Sequence, residues 1–139
     1  MATVMNHPRK VLDELHFRAK KRFSQNFLTS SHWAERLCRE AVGDGAEEAW
    51  EIGPGLGAIT EALLKCKCRV RVFEIDPVLS EYLRSRFPGL EVVEGDFLNF
   101  SPDTQSLAGF NRVLVSNLPY HVSSQILFRI MEWPQTFER

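Results

Sequence analysis

The chain has 139 residues, of which 44% are hydrophobic and 25% charged, and its net charge is -1. That balance fits one globular domain able to bury a core. It excludes an argument for nucleic acid from net charge alone, and no apolar run approaches the ~20 residues of a membrane span. Three cysteines, Cys38, Cys66 and Cys68, make no disulfide framework and suit a reducing, cytoplasmic setting. Cys66-Lys67-Cys68 has no second pair and no nearby histidine, so no metal is expected.

Charge is unevenly spread. Arg9, Lys10, Arg18, Lys20, Lys21 and Arg22 gather near the N-terminus, and acids gather further on, at Glu47, Glu48, Glu51, Glu91, Glu94 and Asp96. The leader lacks the apolar core of a signal peptide, and Asp13 and Glu14 interrupt its basic run. Val11 to Phe17 reads as a short turn or helix. A helix capped by Ser30 or Ser31 should run to about Val42, with Trp33, Ala34, Leu37, Cys38 and Ala41 at the spacing of a buried face. Gly43-Asp44-Gly45 ends it.

Residues 48–52 read as a first strand. Gly53, Gly55 and Gly57 then alternate in a tight turn, and a helix follows from about Leu56 to Leu64, with Ile59, Leu63 and Leu64 inward. Val70–Glu74 is a second strand. Pro77 suits the first turn of a helix, where its missing N–H costs nothing, and that helix should reach about Phe87 before Pro88-Gly89 stops it. Leu90–Val93 is a third strand, followed by Gly95-Asp96-Phe97 and a loop through Ser101-Pro102. Arg112–Ser116 is a fourth, Asn117-Leu118-Pro119-Tyr120 a sharp loop. A last helix, capped by Ser123 or Ser124, carries Ile126, Leu127, Ile130 and Met131.

Strands alternating with helices through short links predict an α/β fold with a parallel sheet in the order 3-2-1-4. The sequence stops after the helix that follows strand four. This strand would be an edge, although Val113, Leu114 and Val115 read as buried on both faces. The expectation is a portion of a longer protein, or an edge covered by another chain.

The unusual polar residues fall at the carboxyl ends of the strands: Glu51, Glu74, Asp96 and Asn117. Ligands of such sheets bind there. The glycine spacing differs from the G-x-G-x-x-G of dinucleotide enzymes. A carboxylate at Glu51 suits an ammonium-bearing cofactor better than a phosphate, which favours S-adenosylmethionine over NAD. Glu74 can accept ribose hydroxyls, Ile75 can cover an adenine face, Asp96 can accept from the adenine amine, and Phe97 can supply a backbone contact or a ring wall. Each acid alone would read as a solvated loop charge; three at successive strand ends favour a site.

Asn117-Leu118-Pro119-Tyr120 suits transfer to an amine on a planar ring. The Asn117 side-chain carbonyl and the Leu118 backbone carbonyl can accept the amine's two hydrogens, which orients its lone pair. Pro119 fixes the turn, and Tyr120 can stack on the base. A plain turn with Tyr120 in the core is the bland alternative. His121 reads as a loop residue rather than a base.

The chain resembles the ribosomal RNA adenine dimethyltransferase family in Gln25-Asn26-Phe27-Leu28, Glu51-Ile-Gly-Pro-Gly-Leu-Gly-Ala-Ile-Thr60, Glu74-Ile-Asp76, Gly95-Asp96 and Asn117-Leu-Pro-Tyr-His-Val-Ser-Ser124. The resemblance implies a class I S-adenosylmethionine-dependent, Rossmann-like methyltransferase fold. It implies transfer of methyl groups to N6 of two adjacent adenines near the 3′ end of small-subunit rRNA. By motif, Gln25, Asn26 and Leu28 would cover the methionine part of the cofactor, with Gly53, Gly55 and Glu51 at the same end. Glu74 and Ile75 would hold ribose and adenine, Asp96, Phe97 and Asn117 would complete the cofactor site, and Asn117 to Tyr120 would hold the target base. Arg18, Lys20, Lys21 and Arg22 would approach RNA phosphates. Residues 1–24 would be a basic leader and 25–139 a partial methyltransferase domain, since the family continues with further strands and a helical domain. Such a domain is expected to be monomeric when complete and able to self-associate through its sheet edge when not. The alternatives are a non-catalytic RNA-binding or ribosome-assembly module, and a large-subunit rRNA or DNA adenine methyltransferase. Trp50 departs from the small apolar residue usual before the glutamate.

Overall fold

The computed structural model describes residues 10, 11, 13, 31–102, 110–118, 120–133 and 137. Helix α1 spans Ser31–Val42, β1 Glu48–Ile52, α2 Ala58–Lys65, β2 Arg69–Glu74, α3 Pro77–Arg86, β3 Glu91–Glu94, a 3-10 turn Phe97–Asn99, β4 Arg112–Ser116 and α4 Tyr120–Met131. The strands form one parallel sheet in the order β3-β2-β1-β4, as the alternation of elements predicts. Among the described residues no helix is long and apolar enough to cross a membrane.

Alternation along the strands divides the core in two. Ala34, Cys38, Ile59, Leu63, Val72 and Val113 pack on one face of the sheet, beneath α1 and α2. Trp50, Ile52, Phe73, Phe97 and Ile126 pack on the other, beneath α4. Trp50 is fully buried, with ring centroids 5.0 Å from Phe73, 5.8 Å from Phe100 and 5.3 Å from Phe137. The guanidinium groups of Arg71 and Arg112 lie 5.2 and 5.1 Å from its ring. The indole occupies an aromatic layer built for its size. Its Nε1 finds no hydrogen-bond partner among the described residues.

The sheet's other end carries the buried ion pair of Arg112 with Glu48, at 2.6 Å. Arg69 reaches Glu48 and Glu91 beside it, at 3.9 and 3.4 Å. Charge is therefore neutralised where the strands begin; where they end, Glu94 pairs with Arg84 at 3.3 Å, while Glu51 and Glu74 form no ion pair among the described residues.

The helices differ from expectation in phase and in one boundary. Trp33 is 48% exposed, because the buried stripe of α1 is Ala34, Cys38 and Val42, and a residue one position away points about 100° off that stripe. Leu64 is 44% exposed for the same reason, with Ile59, Thr60, Ala62 and Leu63 forming the inner face of α2. Helix α2 begins at Ala58, after Gly57, rather than near Leu56. Helix α4 opens at Tyr120, so Ser123 and Ser124 lie within it rather than at its start, and the loop after β4 is shorter than the sequence suggests. Of the apolar residues of α4, Ile126 is buried, whereas Leu127, Phe128 and Met131 are exposed.

Candidate active site

The register brings the strand ends level. Ile52 pairs with Phe73 on one side and Ser116 on the other, and Glu74 pairs with Glu94. The next residues, Gly53, Ile75, Gly95 and Asn117, therefore leave the sheet along one edge. Gly53 N–H donates to Phe73 O (2.8 Å), Gly95 N–H to Glu74 O (2.9 Å) and Ser116 Oγ to Ile52 O (3.0 Å).

The glycine turn needs its glycines. Gly53, Gly55 and Gly57 have φ of 68°, 59° and 88°, a region that other residues enter at a cost. A Cβ on Gly53 would lie 3.1 Å from Leu118 Cδ2, so the turn and the loop after β4 touch. Gly55 N–H donates to Glu74 Oε2 and Asp76 N–H to Glu74 Oε1, both at 3.0 Å. Glu74 thus ties the first loop to the second. Each carboxylate oxygen keeps lone-pair capacity for a ligand hydroxyl.

Asp76 was not singled out from the sequence as a site residue. It is fully buried and its Oδ1 accepts from Val78 N–H (2.8 Å) and Leu79 N–H (3.2 Å), capping α3 ahead of Pro77. Acid followed by proline at a helix start is a readable cap, and this cap holds the N–H that orients Glu74. Asp96 is exposed and accepts from Leu98 N–H at 3.0 Å. It caps the 3-10 turn beside Glu74's strand end. Ile75 is 36% exposed at the same edge.

Phe97 requires a correction. Its ring is buried between Phe73 (5.0 Å) and Trp133 (5.7 Å), within the aromatic core, so only its backbone stays available to a ligand. The run of aromatics at Phe97, Phe100 and Trp133 is the sequence signal for that core.

Glu51 departs from expectation differently. It is 2% exposed, and Oε2 accepts the Thr60 hydroxyl at 2.6 Å. Burial pushes its carboxyl up from 4.5 to about 8; the Thr60 hydroxyl opposes the shift and Glu74 adds to it. Without a ligand it therefore holds a proton at neutral pH rather than presenting a ready anion. Burial also raises Glu74, against the pull of its backbone donors. Thr60 is a second residue missed from the sequence, where its place on the apolar stripe of α2 was the available sign.

The site thus gathers Glu51, Gly53, Gly55, Glu74, Ile75, Asp96, Asn117 and Leu118 at one edge. Pro119 lies outside the described residues, as do Gln25, Asn26, Leu28, Arg18, Lys20, Lys21 and Arg22, and of Tyr120 only the backbone is described. Among the described residues no group of three or more His, Cys, Asp or Glu side chains could hold a metal ion.

Residues 16–139 match the family described as ribosomal RNA adenine dimethylase. The chain belongs to the ribosomal RNA adenine dimethylase family. Relatives in this family include the ribosomal RNA small subunit methyltransferase A of Porphyromonas gingivalis, 40% identical over 83% of this chain and 45% of that protein. The protein of the same name in Chlorobium limicola is 35% identical over 85% of this chain and 44% of its own length. The solved structure of the 23S rRNA methyltransferase ErmE superposes with a TM-score of 0.67 at 33% identity, over 81% of this chain and 45% of that one. A dimethyladenosine transferase from Plasmodium falciparum, 24% identical with a TM-score of 0.65 over 81% of this chain and 40% of that one, shares the fold. The chain therefore has the class I methyltransferase sheet, and it spans under half the length of these relatives.

Proposed function

We propose that residues 25–139 are the S-adenosylmethionine-binding part of an rRNA adenine dimethyltransferase, with residues 1–24 as a basic leader toward RNA. The full activity would place two methyl groups on N6 of each of two adjacent adenines near the 3′ end of small-subunit rRNA, within the immature particle and in the cytoplasm. The observation that carries this reading is the contact of the glycine turn with both Glu74 and Leu118 at one sheet edge.

The residues suit the cofactor. Three glycines at positive φ hold a tight turn with bare backbone at the strand end, and a buried acid with no ion pair among the described residues suits an ammonium group. Gly53, Gly55 and Glu51 would hold the amino-acid end, with Gln25, Asn26 and Leu28 over it. Glu74 would hold the ribose, and Ile75, Asp96, the Phe97 backbone and Asn117 the adenine side. When bound, S-adenosylmethionine supplies an electrophilic methyl group.

The protein's own contribution is orientation. Asn117 and Leu118 follow β4 directly, Leu118 lies against the glycine turn, and two carbonyl acceptors there can take the hydrogens of an adenine amine and turn its lone pair outward. Tyr120 would stack on a base swung out of its helix. Acceptors placed at the amine also stabilise the positive charge that grows on nitrogen during transfer.

Methyl transfer to immature small subunits tests the reading. Asn117→Ala should reduce turnover at least ~100-fold with cofactor affinity changed far less, as expected for acceptors that act in the transition state. Glu74→Ala should weaken S-adenosylmethionine binding at least ~10-fold by calorimetry. Unchanged affinity would remove Glu74 from the site. A second reading is favoured by the open side of β4, which has no further strand among the described residues. On that reading these residues bind cofactor and RNA but do not methylate alone, and cofactor heat without turnover would select it.

A further inference from the structure

Thr60 lies on the first turn of α2, directly after the glycine turn, and is fully buried. Helical residues facing a core are ordinarily apolar, and this one spends its hydroxyl on a single acceptor, Glu51 Oε2 at 2.6 Å. The two side chains cross the glycine turn from its two ends, one from β1 and one from α2. Among the described residues the other ionisable groups acting on this carboxyl are Glu74 from β2 and Cys38 from α1. Neither supplies a positive charge. Glu74 adds repulsion, and the Cys38 thiol, pushed up to about 12 chiefly by burial, stays neutral. Val115 of β4 flanks Glu51 in the sheet and is apolar.

We propose that Thr60 is a positioning residue that holds the Glu51 carboxyl beneath the glycine turn and keeps it ionisable, so that uptake of an ammonium-bearing ligand expels a proton from Glu51. The inference rests on the cofactor reading given above. A hydroxyl donor stabilises a carboxylate more than a carboxylic acid, and in a dry site that preference is large. In the ligand-free chain burial wins and the proton stays. An arriving ammonium group supplies the missing counter-charge, the O–H bond of the Glu51 carboxyl breaks heterolytically, and the proton passes to buffer. Removing the hydroxyl makes ionisation harder, so affinity falls most where a proton must be removed and least where Glu51 has already lost it.

Two measurements on the full 139-residue chain test this. Carbon-13 NMR of the glutamate carboxyls in the ligand-free chain should show Glu51 titrating at a midpoint about one pH unit higher in Thr60→Val, with Thr60→Ser close to wild type; one unit corresponds to a tenfold change. Calorimetry with S-adenosylmethionine, in buffers of different ionisation heat, should show proton release by the wild-type chain at pH 6.5. Glu51→Gln should release less, the ligand's own protonation being common to both. Thr60→Val should lose about tenfold in affinity at pH 6.5 and much less at pH 9.

An unmoved Glu51 midpoint in Thr60→Val, or an equal affinity loss at both pH values, overturns the proposal and leaves Thr60 a packing residue. Normal wild-type binding with identical proton release by Glu51→Gln also overturns it, while leaving the cofactor reading intact. Absence of binding heat with the wild-type chain overturns the cofactor reading and this inference with it.

Discussion

Glu51 makes the stability of the ligand-free chain depend on pH in an unusual direction. Its folded carboxyl titrates at about 8 against an ordinary 4.5. Below pH 4.5 both folded and unfolded chains hold the proton, so the stabilisation is complete. Between 4.5 and 8 the unfolded chain releases it and the folded chain does not, so stability falls as pH rises and levels off above about 8. Glu74, also raised by burial, acts with the same sign. Urea unfolding at half-unit steps from pH 5 to 8.5 should show the midpoint falling with pH, and Glu51→Gln should remove much of that slope. Parallel profiles for the two proteins would mean that Glu51 titrates normally. The sequence suggested this residue's role without its protonation state. Reading an acid beside a glycine turn identifies a candidate; whether it carries charge depends on burial by α2 and on Thr60, nine residues away.

Between elements, the βα turns decide how tightly helices sit on the sheet. Gly57 has φ of 88°, and a Cβ there would lie 2.6 Å from Phe87 Cε2, at the C-terminal end of α3. Gly89 has nearly the same φ, 86°, with nothing within 4 Å of the added carbon. The pair separates backbone strain from collision. Gly89→Ala should cost about 1 kcal/mol, the strain alone, and Gly57→Ala about 1–3 kcal/mol more, since Phe87 must move. Equal losses in urea unfolding would mean that Phe87 yields freely. Which glycines turn the chain was readable from Gly53-Pro54-Gly55-Leu56-Gly57; that Phe87 fills the space beside the last of them was not, because the contact joins residues 30 apart. Helical phase had the same limit. Spacing in α1 gave a stripe that included Trp33, while the packing centres on Ala34, Cys38 and Val42 and leaves Trp33 at the rim.

For the molecule as a whole, strand order was readable because right-handed crossovers allow few sheets, and the edge position of β4 followed from it. Val113 and Val115 of that edge strand are buried by the helices on one face, yet the strand has no neighbour beyond it among the described residues. Alongside it, α4 exposes Leu127 at 58%, Phe128 at 68% and Met131 at 67%. An unpaired strand edge next to exposed apolar side chains is a site for association. The relatives are more than twice as long as the part this chain matches, so in a longer protein further chain could lie against that side. For the 139 residues alone, a second copy is the available cover. Sedimentation velocity should therefore show a weight-average mass that rises with concentration, and Phe128→Glu should return it to the monomer without lowering the thermal midpoint, since the side chain is largely in water. A mass independent of concentration in the wild-type chain would show that this face needs no partner. A Phe128→Glu chain that associates as before would place the contact elsewhere than on α4.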